Sequence, residues 1–250
     1  MSWLPSDRAG GILTDMTGYG QFCPVAQALD VVGERWTLLI IRELLNGNYR
    51  FGEILNGVPL MSRSLLSQRL RTLEDAGLLE RDQRAEGKGH EYRLTQAGRD
   101  LEPVVNCLGT WGQRWLGRQS KEDGNLDPVL LMWDLRRNLD PNSLPDESIV
   151  VMFWFRDLKG KRSRYWLNVK RPDVELCLTD PHLEVSLSVE TTLQAMVDVW
   201  MGDRDVKDAL RAGAIELKGT TSLTRSFPKW LLLSRFAKVE RVPVPLAARL

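Results

Sequence analysis

The sequence predicts an α+β chain in two parts, and three observations predict it. In the first half, apolar residues recur at three- and four-residue spacing, the period of a helix facing a core. That half closes on LLERDQR and HEYRLT, two short strand-like segments joined by AEGKG. The second half holds IVVMFWFR, SRYWLNVK, VELCLT and LEVSLSV together with amphipathic helices, which reads as an antiparallel sheet with helices on one face. The polar GRQSKEDGNLDP between them is the linker, so the parts are expected at 20–118 and 126–242.

Residues 1–20 lack periodicity and read as a flexible arm. From Pro24 a single helix is expected, with Val25, Leu29, Val32, Trp36, Leu39 and Ile40 in register and a stop at Asn46-Gly47. A short helix follows at about Phe51–Asn56, and Gly57-Val58-Pro59 forces a turn. Ser62 is a good N-cap for the next helix, RSLLSQRLRTLEDA, which Gly77 ends. Its Leu66, Leu70 and Leu73 share one face, with Leu65 beside them, while Arg63, Ser64, Ser67, Gln68 and Arg71 lie opposite. After the hairpin a long helix is expected from about Thr95 to Arg118, striped by Leu101, Val104, Val105, Leu108, Trp111 and Trp115.

In the second half, Asp127 and Pro128 suit the cap and first position of a helix reaching about Asn138. LEVSLSV alternates, with Leu183, Val185, Leu187 and Val189 on one face. ETTLQAMVDVWM is a helix striped by Leu193, Met196, Val197 and Trp200; DVKDALRAG is a short helix stopped by Gly213; AIELKG is a strand and SFPKWLLLSRF a last helix.

Composition bounds the function. With 43% hydrophobic and 27% charged residues the chain has a soluble globular profile. A net charge of +1 neither favours nor excludes a polyanionic partner, so electrostatics must be judged locally. Nine Trp need a core, an interface or an apolar pocket to bury them. Cys23, Cys107 and Cys177 form no CxxC pair, against a disulfide scaffold or zinc finger and in keeping with a reducing cytoplasm. No basic region followed by an apolar stretch opens the chain, so no signal peptide is expected. No apolar run approaches the ~20 residues of a membrane helix, so a cytoplasmic protein without a membrane partner is expected. His90 and His182 are the only histidines, and HExxH, GxSxG and Cys-His clusters are absent. The hairpin's GKG lacks the earlier glycine and the following Ser/Thr of a phosphate loop. Neither catalysis nor a cofactor is expected.

Long helix, short helix, tight turn, amphipathic helix and hairpin is the winged helix-turn-helix order, whose second helix enters the major groove of DNA. Such a helix needs one face for its domain and one for the duplex. Arg reads guanine, Gln reads adenine, and Ser suits bases or phosphates. From Ser62 to Thr72 there is no acid. Ser62, Arg63, Ser64, Ser67, Gln68 and Arg71, with Arg69 at the edge, are therefore the candidates, joined by Arg84 and Lys88 at the hairpin tip for phosphates or the minor groove. The plain alternative is a solvated basic face.

CPVAQALDVVGERWTLLIIRELLNGNYRFGEI, LMSRSLLSQRLRTLEDAGLLERD and YRLTQAG closely resemble the HxlR-type regulators, relatives of the MarR group, over about Cys23 to Arg118. The resemblance implies a transcription regulator that, as a homodimer, binds double-stranded DNA at a pseudo-palindromic operator. The recognition helix would be Ser62–Ala76, the wing about Leu79–Thr95, and the helix with Trp111 and Trp115 much of the dimer interface. Paired recognition helices would sit about 34 Å apart, one DNA turn. Cys23, just before Pro24, lies where helix N-terminal amides lower a thiol pKa, and some HxlR-type proteins sense oxidants with a Cys there. A small buried residue is the other reading of Cys23.

SLSVETTLQAMVDVWMGDRDVKDALRAGAIELKG resembles the sterol-carrier-protein type of lipid-binding domain, over about Asp127 to Val242. That fold implies an apolar tunnel between sheet and helices for a fatty acyl chain or other apolar small molecule. Candidate lining residues are Phe153, Phe155, Trp166, Leu176, Leu187, Met196, Trp200 and Trp230; plain core is the alternative. The combined expectation is a regulator controlled by an apolar small molecule. Its rivals are an apolar-ligand carrier whose first half only dimerises or binds protein, and a thiol sensor acting through Cys23.

Overall fold

A computed structural model describes residues 18–83, 89–116 and 126–242. Most of the N-terminal arm, most of the linker, and Arg84 and Lys88 at the hairpin tip lie outside the described residues.

The first half opens with two helices where the sequence predicts one: α1 (Pro24–Val32) and α2 (Thr37–Leu45). Trp36 between them has φ 81°, a left-handed conformation that no helix continues through. The apolar spacing runs across the break unbroken, and this hides it. Val32 and Ile40 are buried, whereas Val25, Leu29 and Leu39 are exposed. Next come α3 (Phe51–Gly57) and α4 (Arg63–Asp75), the latter capped by Ser62, whose Oγ accepts from the Leu65 N–H at 3.2 Å. β1 (Leu79–Gln83) and β2 (His90–Leu94) pair antiparallel from Leu79↔Leu94 to Gln83↔His90. The predicted helix from Thr95 is two pieces, α5 (Gln96–Arg99) and α6 (Glu102–Trp115). Pro103 has no N–H to bond back to Arg99, so the helix restarts there. Ile40, Ile41 and Leu44 of α2, Ile54 of α3, Leu66, Leu70 and Leu73 of α4, and Leu79 form one buried cluster.

The second half begins with α7 (Pro128–Arg137), whose cap Asp127 accepts from the N–H of Val129 and Leu130. Five strands follow: β3 (Ile149–Phe155), β4 (Arg164–Lys170), β5 (Asp173–Cys177), β6 (Leu187–Thr191) and β7 (Ile215–Gly219). Between β6 and β7 lie α8 (Leu193–Trp200) and α9 (Val206–Arg211), and α10 (Thr221–Trp230) comes last. The sheet order is β5-β4-β3-β6-β7. It is not purely antiparallel, as the sequence pattern predicts: β6 runs parallel to β3, from Val151↔Leu187 to Phe155↔Thr191. The chain leaves β5 at one edge and returns on the far side of β3. As a central strand, β6 is buried at all five positions. Its sequence still alternates, with Leu187 and Val189 on one face and the buried polar Ser188 and Glu190 on the other. The alternating Leu183 and Val185 precede the strand and are exposed. Glu190 on β6 is matched by Lys218 on β7 at 2.6 Å.

One face of the sheet carries Ile149, Val151, Phe153, Phe155, Leu187 and Val189 into a single buried cluster. Leu131 of α7, Met196 of α8, Ala209 of α9 and Phe227 of α10 join that cluster from the helices. The last helix stops at Trp230, two residues after Pro228, and leaves Leu232 and Leu233 exposed. The spacing of those leucines looks helical, and the sequence pattern alone would run the helix through them.

The halves meet at a polar joint. Glu43 of α2, fully buried, accepts from Arg137 Nη1 of α7 at 2.7 Å, Asn48 Nδ2 at 2.7 Å and Arg42 Nε at 2.9 Å. Arg42 also donates to the Gly57 carbonyl at 2.9 Å, and Arg137 pairs with Asp134. Burial pushes the Asp134 carboxyl up, opposed by Arg137. Residues 231–242 then return to the first half. Arg235 donates to Asn46 Oδ1 at 2.6 Å and Asn106 Oδ1 at 3.1 Å, and the Val242 N–H bonds the Arg114 carbonyl at 3.1 Å. The Phe236 ring lies against Gly109 of α6, where a Cβ would collide with it.

Candidate nucleic-acid interface

The sequence divides α4 cleanly. Leu66, Leu70 and Leu73 are 0–2% exposed and anchor the helix in the first core. Ser62, Arg63, Ser64, Ser67, Gln68 and Arg71 are all exposed on its other side. Ser62 Oγ and Ser64 Oγ are 3.1 Å apart, and the Arg63 guanidinium rests 5.7 Å from the centre of the Phe51 ring, which leans its head over α3. Arg71 makes no ion pair among the described residues. The face therefore offers three hydroxyls, an amide and two guanidiniums with no carboxylate among them.

Arg69 does not belong to it. Its side chain is 14% exposed and pairs with Glu34 from the α1–α2 connection. It sits one position off the exposed stripe, where the helix turns back towards α1. Arg84 and Lys88 lie outside the described residues, so the wing is represented by Arg81 and Gln83 of β1, both exposed. Leu60 is a surface residue that the sequence pattern does not single out: it is 82% exposed in the turn two residues before the cap. Its place between two core anchors, Val58 and Met61, gives no sign of exposure.

The second candidate surface is α6. None of its residues is buried. Val104, Leu108, Trp111 and Trp115 are 44, 50, 53 and 37% exposed. Phe22 and Val25, beside and within α1, are 95 and 66% exposed. Cys23 occupies the N-cap position of α1 without a side-chain cap hydrogen bond, and the neighbouring backbone N–H groups of Ala26 and then Val25 hold its thiol below the ordinary range.

Seven of the eight candidate lining residues gather at the second core, and Trp166 does not. Phe153, Phe155, Leu187, Met196 and Trp230 sit inside the second core, closed by ring pairs such as Phe153–Phe227 at 6.3 Å and Phe227–Trp230 at 5.5 Å, with Leu176 at its edge. Trp166 lies on the opposite face of the sheet, in a depression with Lys161, Arg164 and Leu178. Trp200 belongs to the same core and also lines the joint between the halves. The Trp230 Nε1–H is buried without an acceptor among the described residues.

Helix, short helix, turn, capped helix and hairpin, in that order and around one core, define the winged helix-turn-helix class. The HxlR-like helix-turn-helix family matches residues 31–120. An HTH-type transcriptional regulator of Mycobacterium tuberculosis is 47% identical over 97 residues, 38% of this chain and 60% of the relative. One from Synechocystis is 36% identical over 104 residues, 41% of this chain and 77% of the relative. YvaP of Bacillus subtilis, also an HTH-type transcriptional regulator, is 38% identical over 98 residues, 38% of this chain and 91% of the relative. The chain belongs to the HxlR-like helix-turn-helix family. It spans 60% of the length of its mycobacterial relatives. Among solved structures, the redox regulator HypR in its reduced form is 34% identical, covering 36% of this chain and 91% of that one, with a TM-score of 0.35. Among the described residues no helix is long and apolar enough to cross a membrane.

Proposed function

We propose that the protein is a DNA-binding transcription regulator that reads a pseudo-palindromic operator as a homodimer. The observation that carries this is the acid-free exposed face of α4, Ser62 to Arg71, held by a buried leucine face behind it. In this reading Arg63 and Gln68 meet base edges, while Ser62, Ser64 and Arg71 meet phosphates or bases. Arg69 is excluded from the contact by its pairing with Glu34. Arg84 and Lys88 keep the wing role that the sequence gives them. The α6 stripe supplies the dimer contact: four large apolar side chains left wet on one helix are costly unless a partner covers them. Footprinting on the DNA upstream of the gene tests the reading. Protection of two half-sites about one helical turn apart is expected; no protected site at moderate salt would sink it and leave an apolar-ligand carrier whose first half serves dimerisation or protein contact.

The second half serves, in the same proposal, as a sterol-carrier-like domain whose apolar ligand shifts the dimer between bound and released forms. Helices packed on one sheet face and the unpartnered Trp230 Nε1–H support it, since a ligand carbonyl or hydroxyl reaching that core would satisfy a donor that is otherwise costly to bury. The ligand works only through unequal affinity for the two forms. A thiol switch at Cys23 is the second reading, favoured by its position on the α1 amides.

A further inference from the structure

A cleft of about 410 Å³ opens at the joint of the two halves, within the size range of small-molecule sites. Its walls come from both halves: Leu45 at the end of α2 and Val105 of α6 on one side, Trp200, Met201 and Phe236 on the other. Arg42, Arg137 and Arg235 reach it, with Asp134 as the acidic residue in its lining. The charges there do not balance. Arg42 and Arg137 are matched by Glu43 and Asp134. Among the described residues, Arg235 is held only by the neutral amide oxygens of Asn46 and Asn106, at 2.6 and 3.1 Å. One positive charge thus stands uncompensated beside an indole, a phenyl ring and a thioether.

We infer that this cleft binds an amphipathic monocarboxylate with an aromatic body, its carboxylate on Arg235 and its ring between Trp200 and Phe236. The chemistry is specific on both counts. A guanidinium held by neutral partners can take a planar carboxylate bidentately without giving up an ion pair. Two aromatic walls and Met201 favour a flat apolar body. The cleft borders the second core through Trp200 and Met201 and lies outside the interior where Phe153, Met196 and Trp230 are closed in. A molecule seated here touches α2, which shares its core with α4, and α6, which carries the exposed apolar stripe. The effect of such a molecule on DNA rests on the regulator reading above; the binding itself does not.

Isothermal titration of the full chain with 2-naphthoate, and with its neutral counterpart 2-naphthamide, tests the site. One molecule of 2-naphthoate per chain is expected, with Kd under about 1 mM and roughly tenfold tighter than the amide. Arg235→Gln, a change at an exposed residue that can keep an amide donor towards Asn46 or Asn106, should erase the preference for the acid while the amide still binds, with circular dichroism and melting temperature recorded beside it. Met201→Trp should fill the cleft and abolish both, with an unchanged circular dichroism spectrum. No saturable binding of 2-naphthoate, equal affinity for acid and amide, or binding that survives both substitutions overturns the inference, the last by placing the probe on the α6 stripe. A DNA-anisotropy measurement on the same samples separates the two claims. Naphthoate bound as described with no specific DNA retained sinks only the regulator reading; DNA retained without naphthoate binding sinks only the cleft.

Discussion

Replacing Arg137 by Met strikes the joint between the halves at its most buried point. Glu43 is 0% exposed and has three donors, from Arg42, Asn48 and Arg137. Removing one partner of a buried ion pair costs about 3–5 kcal/mol when the remaining charge is stranded. Here Glu43 keeps Arg42 and Asn48, and the partly buried Asp134 loses its own contact with Arg137, so the loss is nearer that of two hydrogen bonds to charged groups, about 3 kcal/mol. Met preserves most of the aliphatic volume, which keeps packing loss out of the figure. For a chain of 250 residues this corresponds to a fall in melting temperature of roughly 6–12 °C. Urea unfolding followed by tryptophan fluorescence reads the change, with both halves reporting through their own indoles. A companion variant, Glu43→Gln with Arg137→Met, removes both charges and should recover part of the loss. If Arg137→Met alone shifts stability by less than about 0.5 kcal/mol, the joint is a loose surface contact and the halves are mechanically independent.

Three further outcomes follow from the same geometry. Trp111→Arg places a charge in the middle of the α6 stripe, and sedimentation velocity should show the chain becoming monomeric; an unchanged dimer would move the interface elsewhere. Cys23 should be alkylated by iodoacetamide at pH 7 faster than Cys177, because backbone N–H groups lower the first thiol and burial raises the second; peptide mass spectrometry showing the reverse order would remove the basis for a thiol switch. Asp134 is raised on folding, so its protonated form is favoured in the native state and the native state loses stability as pH climbs from the unfolded value near ~3.9 through the folded one. Asp134→Asn removes that titration, and the difference in urea midpoint between variant and parent should move in the variant's favour between pH 4 and pH 7; a shift the other way means that the Arg137 contact outweighs burial.

The parts of the fold set by local rules were legible. Ser62 announces its helix because a hydroxyl at that position satisfies an end amide, and the leucine spacing of α4 tells which face goes inward. What escaped is set by tertiary context. The break at Trp36 depends on a left-handed backbone that no spacing reveals. The start of β6 is hard to place because the alternation of Leu187 and Val189 runs back without a break through Leu183 and Val185, which are exposed and precede the strand. The exposed face of α4 is readable residue by residue apart from Arg69, whose partner Glu34 lies 35 positions earlier in the chain. The cleft at the joint is beyond reach of a sequence pattern, since its residues come from five separate stretches between Arg42 and Phe236.

The central claim is that α4 presents a DNA-reading face, and the salt dependence of operator binding tests it most directly. Fluorescence anisotropy with the footprinted duplex, from 50 to 200 mM salt, yields the slope of log affinity against log salt. Arg63→Ala with Arg71→Ala should weaken binding by at least about tenfold and narrow the gap between specific and unrelated duplexes. It should also flatten the slope by about one unit for each phosphate that the variant no longer neutralises. An affinity, a specificity ratio and a slope all unchanged in that double variant would contradict the account.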